Sequence, residues 1–343
     1  MIVKAQDFTA FLIKCQQESI GGFEQVIVPR KSGKPEEKQT VFEEIKPDTQ
    51  PVFHSFRTID PLRTLFYFSR ETLLPADKTR KRLIVGAKAC DIAAMQILDR
   101  ALINDDFIDP VYKAWRDKTT IISADCLDVG ESCHCTLVDG KPYVTQNYDM
   151  NLSKVGDSFL ITVGSKKGEE LVKLLQEHST LVQAKGDEKD RVKKDRKDVE
   201  AKLNKINANF KRSGDYANLR KSDIEGWIDD QKKCVGCGGC TNICPTCYCI
   251  IINDDSNDKE FIKVRTTDSC QLHGYARVAG GDSPRQKMYQ RFRNRYLCKF
   301  DYMKSNFDTI GCTGCGRCID VCAGEIDFRE VVQKHLQTPK GQE

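Results

Sequence analysis

Cys234, Cys237, Cys240 and Cys244 stand in the stretch KCVGCGGCTNICPTCYCI at the spacing C-x2-C-x2-C-x3-C, and Cys312, Cys315, Cys318 and Cys322 repeat that spacing in GCTGCGRCIDVCAG. The repeat makes chance clustering untenable. A cubane iron–sulfur cluster takes four thiolates in tetrahedral directions; three can come from one short turn, and the fourth must come from further away. In two-cluster proteins of this spacing, the fourth cysteine of each run serves the other cluster. The spacing therefore predicts Cys234, Cys237, Cys240 and Cys322 around one [4Fe-4S] cluster, and Cys312, Cys315, Cys318 and Cys244 around a second. That crossing ties residues 234 and 322 together, so the intervening chain is expected to be one domain that needs its metal for order. Glycines between the cysteines (Gly236, Gly238, Gly239, Gly311, Gly314, Gly316) allow left-handed turns that aim amide N–H groups at the sulfurs.

The first half offers another set of four: Cys90, Cys126, Cys133 and Cys135. RLIVGA (82–87) reads as a buried strand, IAAMQILDRAL (92–102) as a helix capped by Asp91, and TTIISA (119–124) as a second buried strand, which together make a βαβ unit with parallel strands. Cys90 follows the first strand and Cys126 the second, and ligands of open parallel sheets bind beyond the carboxyl ends of the strands. Four thiols converging there suit a third [4Fe-4S] cluster, with His134 and Asp91 as substitutes should one thiol be unused. Small buried packing residues are the bland alternative, and zinc is another.

FLITVGS (159–165) followed by KKGEELVKLLQEH repeats the strand-then-helix pattern. The expected organisation is an α/β domain with parallel strands over 1–182, a charged helical connector over 183–230, and an α+β two-cluster ferredoxin-like domain over 231–343 with an insertion at 245–311. Residues 1 to about 80 carry no legible motif; a surface loop is expected from Lys31 to Lys38. In the connector, Val192, Val199, Leu203, Ile206 and Phe210 form one apolar stripe, read as a helix lying on its own domain in preference to a docking helix. The insertion holds a basic, aromatic stretch (Arg285, Lys287, Tyr289, Arg291, Phe292, Arg293, Arg295, Tyr296) without any recognised nucleic-acid module, and is assigned to offsetting cluster charge or contacting a partner.

Composition narrows the classes further. The chain has 343 residues, 17 cysteines and a formal net charge of +4. Each oxidised cubane with four thiolates carries roughly −2, which cancels the basic balance and removes the argument for nucleic acid. No secretory leader and no apolar run of about 18 residues stands in the sequence, which predicts a cytoplasmic protein without a membrane span whose cysteines serve metal rather than disulfides. Cys247, Cys249, Cys270 and Cys298 fall outside the quartets, and Cys15 is isolated. Cys240, Cys244 and Cys247 also read as C-x3-C-x2-C, the radical-SAM spacing, but the repeated register explains more cysteines. His54, His178, His273 and His335 have no partner at metal or catalytic spacing, and no G-x-G-x-x-G follows a strand, so no flavin or nicotinamide site is expected in this chain.

With these motifs in place, the sequence resembles the beta-subunit family of cytoplasmic sulfhydrogenases and NAD(P)-linked [NiFe] hydrogenases. It is also similar to the A subunit of anaerobic sulfite reductase and to iron–sulfur subunits of flavin oxidoreductase–heterodisulfide reductase complexes. The resemblance runs from about Leu83 to Val331 and rests on GAKACD (86–91), Cys126 to Cys135 as C-x6-C-x-C, CTNICPTCYC (240–249), DSC (268–270), AGG (279–281) and GCTGCGRC (311–318). The family pattern has Arg-Pro where this chain has Lys88-Ala89, His-Lys at Cys298-Lys299, and Cys-Pro at Cys322-Ala323. The resemblance implies an electron-transfer component of an oxidoreductase complex, placed between a flavin-binding NAD(P)H subunit and a catalytic redox subunit, with no substrate site of its own. The alternatives are an iron–sulfur enzyme acting on a disulfide or sulfur substrate at an open cluster, and a zinc-bound assembly module.

Overall fold

The computed structural model describes residues 1–33, 39–73, 79–210, 216, 218–256 and 259–337. The loop expected at Lys31–Lys38, the end of the charged connector stretch and the polar C-terminal end lie partly outside these residues.

The first half is built on a mixed sheet of seven strands. Its strands are β1 (Ile2–Lys4), β2 (Gln25–Lys31), β3 (Thr40–Glu44), β5 (Arg82–Ala87), β6 (Thr119–Ala124), β7 (Met150–Val155) and β8 (Ser158–Val163), while β4 (Arg70–Thr72) lies elsewhere. The order is β1-β8-β7-β6-β5-β2-β3; the four central strands β7, β6, β5 and β2 are mutually parallel, β8 and β3 run opposite to them, and β1 pairs antiparallel with β8. β5 and β6 match the two apolar runs read from the sequence and are buried at every position. Both faces are covered, which is why these strands are apolar throughout instead of alternating.

Alternate residues of β5 serve two cores. Leu83 and Val85 pack with Phe8, Phe11 and Leu12 of α1 (Ala5–Glu18) and with Leu171 and Leu175 of α4 (Lys166–His178). Ile84 faces the other way, against Ile92, Met95 and Leu98 of α2 (Ala89–Leu102) and Tyr112 of α3 (Pro110–Lys118). Asp91 is not the cap of α2: the helix starts at Ala89, its N-cap is Lys88, and Asp91 lies buried inside the first turn. The reason is an ion pair described below, which captures the carboxylate.

The connector stretch forms α5 (Gly186–Ile206), with Val192, Val199 and Leu203 buried against its own chain. Arg196 of α5 pairs with buried Asp125 at 2.8 Å, and Asn207 donates to the Cys133 carbonyl at 2.9 Å. The remaining helices are α6 (Asn218–Lys221), α7 (Ile224–Gln231), α8 (Gly239–Asn242), α9 (Met288–Leu297), α10 (Met303–Phe307), α11 (Arg317–Asp320) and α12 (Phe328–Gln337). Trp227, Phe292, Tyr296, Phe300 and Phe328 build their aromatic core. His335 stacks on fully buried Trp227, with ring centroids 3.6 Å apart, and faces Asp230 at 2.9 Å. The insertion contributes the hairpin β9 (Ile250–Ser256) and β10 (Phe261–Thr267), and β4 of the first half adds to it as a third strand.

Candidate metal centres

The two cysteine runs fold alike. Each run turns through left-handed glycines and enters a one-turn helix: Gly238 (φ 72°) caps α8 and Gly316 (φ 76°) caps α11, and the two helices pack together. Left-handed backbone of this kind is available at low cost only to glycine. Amide groups point at sulfur as the glycine pattern predicts. Gly239 N–H donates to Cys237 Sγ at 3.5 Å, Gly314 N–H to Cys312 Sγ at 3.4 Å, and Ile326 N–H to Cys322 Sγ at 3.4 Å.

Across the runs, Cys234 faces Cys322 and Cys237, and Cys240 faces Arg295, Cys234 and Cys244. Cys312 faces Cys318, Cys315 and Cys244, and Cys318 faces Cys315 and Cys244. Burial pushes the Cys318 thiol up to about 12 and raises Cys312 as well. Deprotonating these thiols needs a metal, which displaces the proton. Among the described residues no group of three or more His, Cys, Asp or Glu side chains is gathered as tightly as a single metal ion requires.

The sheet-end cysteines also meet. Cys90, in the first turn of α2, faces Cys126, and Cys135 faces Cys126 and Cys133. Burial raises Cys126 to about 11. Lys88 is 3% exposed beside Cys126 and Cys90; burial pulls its ammonium down, which the nearby thiols and Asp125 oppose. A cation held there suits an anionic group bound by those thiols. His134 lies between this set and the second run. Its Nδ1 faces the Ser132 carbonyl at 2.9 Å, so that nitrogen donates, and Nε2 keeps a lone pair 3.7 Å from Cys312 Sγ. Burial lowers His134 to about 4, which keeps it neutral. Both Asp91 oxygens accept hydrogen bonds from Arg317.

Backbone packing joins the second run to the sheet end. A Cβ at Gly314 (φ 65°) would come within 2.4 Å of the Cys135 Cα, and one at Gly316 within 2.4 Å of the Ser132 carbonyl oxygen. His134 N–H donates to the Gly314 carbonyl at 2.8 Å.

Three arginines that the sequence reading passed over complete the junction. Arg317, between two cysteines of the second run, is buried and donates to both Asp91 oxygens at 3.0 and 2.9 Å, and to the Thr58 and Ile59 carbonyls at 3.0 Å. Arg57 donates to the Cys315 carbonyl and pairs with Asp320. Arg63 donates to the Cys244 carbonyl at 3.1 Å and the Asn242 carbonyl at 2.6 Å. The only sequence signal was an arginine placed inside a cysteine run. In the basic stretch of the insertion, Arg291 and Arg295 are buried in α9; Arg291 donates to the Gln271, Arg285 and Gln286 carbonyls, and Arg295 faces Cys240 and Cys318.

Paired cysteine runs on glycine-capped turns define an iron–sulfur protein of the dicluster class, and residues 233–326 match a family described as "4Fe-4S dicluster domain". Over the longer span, the chain is 30% identical across 305 residues to sulfhydrogenase 2 subunit beta of Pyrococcus furiosus, covering 85% of this chain and 88% of that protein. The chain belongs to the family of sulfhydrogenase beta subunits. Among the described residues no helix is long and apolar enough to cross a membrane.

Proposed function

We propose that the chain is an iron–sulfur electron-transfer subunit of a multi-subunit cytoplasmic oxidoreductase, relaying electrons between a flavin-binding NAD(P)H subunit and a catalytic subunit of the hydrogenase, sulfite reductase or heterodisulfide reductase type. The observation that carries this reading is the contiguity of three thiol sets. The set of Cys234, Cys237, Cys240 and Cys322 begins at the surface, where Cys237 is the one exposed cysteine among the described residues, with exposed Val235 and Val321 beside it. Cys312, Cys315, Cys318 and Cys244 come next, and Cys90 and Cys133 both face Cys315. The second half is then a ferredoxin-like two-cluster domain docked on the carboxyl ends of a parallel sheet.

[4Fe-4S] clusters supply one-electron chemistry, and the protein sets their potentials through hydrogen bonds to sulfur, net charge and burial. The residues here perform that tuning. The amides of Gly239, Gly314 and Ile326 donate to sulfur, Lys88 and Arg295 bring positive charge, and Arg317 with Asp91 fixes the second run against the sheet end.

A second reading, an enzyme with an open cluster for a sulfur or disulfide substrate, draws on one cavity. A cavity of about 410 Å³ reaches Cys90, Cys135 and Cys312 and is lined by Arg100, Lys141 and Lys304. Reductive titration of anaerobically purified protein separates the readings. The relay predicts one electron taken up per cluster, with one equivalent lost in Cys312→Ala and one in Cys126→Ala, and no turnover of polysulfide or disulfide by the isolated chain. Catalytic turnover by the isolated chain, abolished by Cys126→Ala, would overturn it.

A further inference from the structure

The three thiol sets leave five cysteines, and four of these meet in one place. Cys247 and Cys249 follow the first run, Cys270 stands in the turn after β10, and Cys298 follows α9. The Cys249 and Cys270 side chains are hydrogen-bonded to each other, Cys298 faces both, and Cys247 faces Cys249. Separate elements hold them there. The Asp268 N–H donates to the Cys249 carbonyl at 2.9 Å, the Gln271 side-chain amide donates to Cys270 Sγ at 3.8 Å, and Tyr275 is hydrogen-bonded to Cys249.

Two buried cations lie between this set and the ferredoxin quartets. Lys299 is 2% exposed, and its described hydrogen bond goes to the neutral hydroxyl of Thr246 at 2.7 Å. Its charged neighbours are Cys244, Cys247 and Cys298. Arg295 is 5% exposed, its Nε makes no hydrogen bond, and it faces both Cys240 and Cys270. Taking two cations out of water without opposite charge costs several kcal/mol each in the folded chain. The ferredoxin quartets supply part of that charge, since Arg295 is hydrogen-bonded to Cys318 and faces Cys240, and thiolates at Cys247 and Cys298 beside Lys299 supply the rest.

Cysteine use across the whole chain agrees. Four sets of four account for all but one of the 17 cysteines. The one left over, Cys15, is fully buried in the apolar core under the sheet among Phe8, Phe11 and Leu12, where a cysteine behaves as a small apolar residue.

We propose that Cys247, Cys249, Cys270 and Cys298 hold a further [4Fe-4S] cluster, beside the two ferredoxin quartets and independent of the sheet-end set. An iron–sulfur group is favoured because these thiols abut redox neighbours: Cys270 faces Cys240, and Cys247 is hydrogen-bonded to Cys244. On assembly the four thiols give up their protons to solvent and bond iron as thiolates. The site forms a branch of the relay at the open end of the β9–β10 hairpin.

The test is iron and acid-labile sulfide per chain in anaerobically purified full-length protein, compared among wild type, Cys270→Ala, Cys298→Ser, the double variant and Cys126→Ala. Each of Cys270→Ala and Cys298→Ser is expected to lose about four irons and four sulfides, and the double variant no more than either, since one cluster is removed once. Cys126→Ala tests the sheet-end set separately, so failure of that assignment leaves this one standing. Because a variant can lose metal by misfolding, native wild type is also alkylated before and after chelation. The four cysteines are expected to be blocked before chelation and labelled after it. Unchanged iron in both single variants, loss of zinc in place of iron, or labelling of Cys270 and Cys298 in the iron-loaded chain would overturn the proposal.

Discussion

The cysteines of the second half and those of the first are gathered in opposite ways. In the runs at 234–244 and 312–322, three thiols come from one glycine-rich turn, and the adjoining helices α8 and α11 are a single turn each. Cys234, Cys312, Cys318 and Ile319 pack against the aromatic core from one side, and a bound cluster would supply the rest of the order of these short turns. At the sheet end, Cys90 and Cys126 are delivered by β5 and β6, which are buried at every position and packed on both faces. There the fold stands first and the thiols are brought to it. The difference predicts that removing a ligand damages the two regions unequally.

The largest expected effect uses that inequality. Cys240→Ala should lose about four irons and lower the melting temperature of the second half by more than about 10 °C, whereas Cys126→Ala should lose about four irons with near-native circular dichroism. Iron assay and thermal melts check both. Equal destabilisation by the two variants would remove the contrast.

The junction comes next. Arg317→Ala leaves Asp91 charged and buried without its partner, which costs about 3–5 kcal/mol. Pairing Arg317→Met with Asp91→Leu should recover most of that loss in denaturant titrations, because the penalty lies in the orphaned charge. Gly314→Ala is expected to cost about 3 kcal/mol, from left-handed strain plus the clash with the Cys135 backbone, and to release iron from both sides of the junction.

The smallest effect belongs to the first half alone. His54 packs against Phe53 and Phe159, its ring nitrogens make no hydrogen bond, and burial, then Lys88 and Lys154, lower it to about 3. A lowered pKa means the stability is present above the unfolded value near 6.5 and is lost as pH falls from there towards 3. Between pH 7.5 and 5.5 His54 should account for a loss of about 1.4 kcal/mol and His134 for a similar one, so His54→Phe should remove about half of the slope.

What could be read from the sequence follows the same division. The cysteine runs were legible because their spacing is local, and β5 and β6 because continuous apolar runs mark strands buried on both faces. β1 and β7 were not foreseen: β1 has three residues, and β7 (MNLSKV) mixes buried Asn151 and Ser153 with its apolar positions. Those two side chains are buried because they bond Asp125 and Ser123, partners that only the fold supplies. Residues 1 to about 80 carried no readable motif, yet they hold Arg57 and Arg63, whose acceptors are carbonyls far along the chain. Asp91 looked like a helix cap because its partner Arg317 lies in the other half. His335 seemed to lack a partner because Trp227 and Asp230 reach it only through tertiary packing.

The central claim is that metal lies at the sheet end as well as in the cysteine runs. Its most direct test is the difference in iron and acid-labile sulfide per chain between wild type and Cys126→Ala, both purified without oxygen. The account predicts a loss of about four of each with the sheet still folded. Identical iron and sulfide in the two proteins would contradict it.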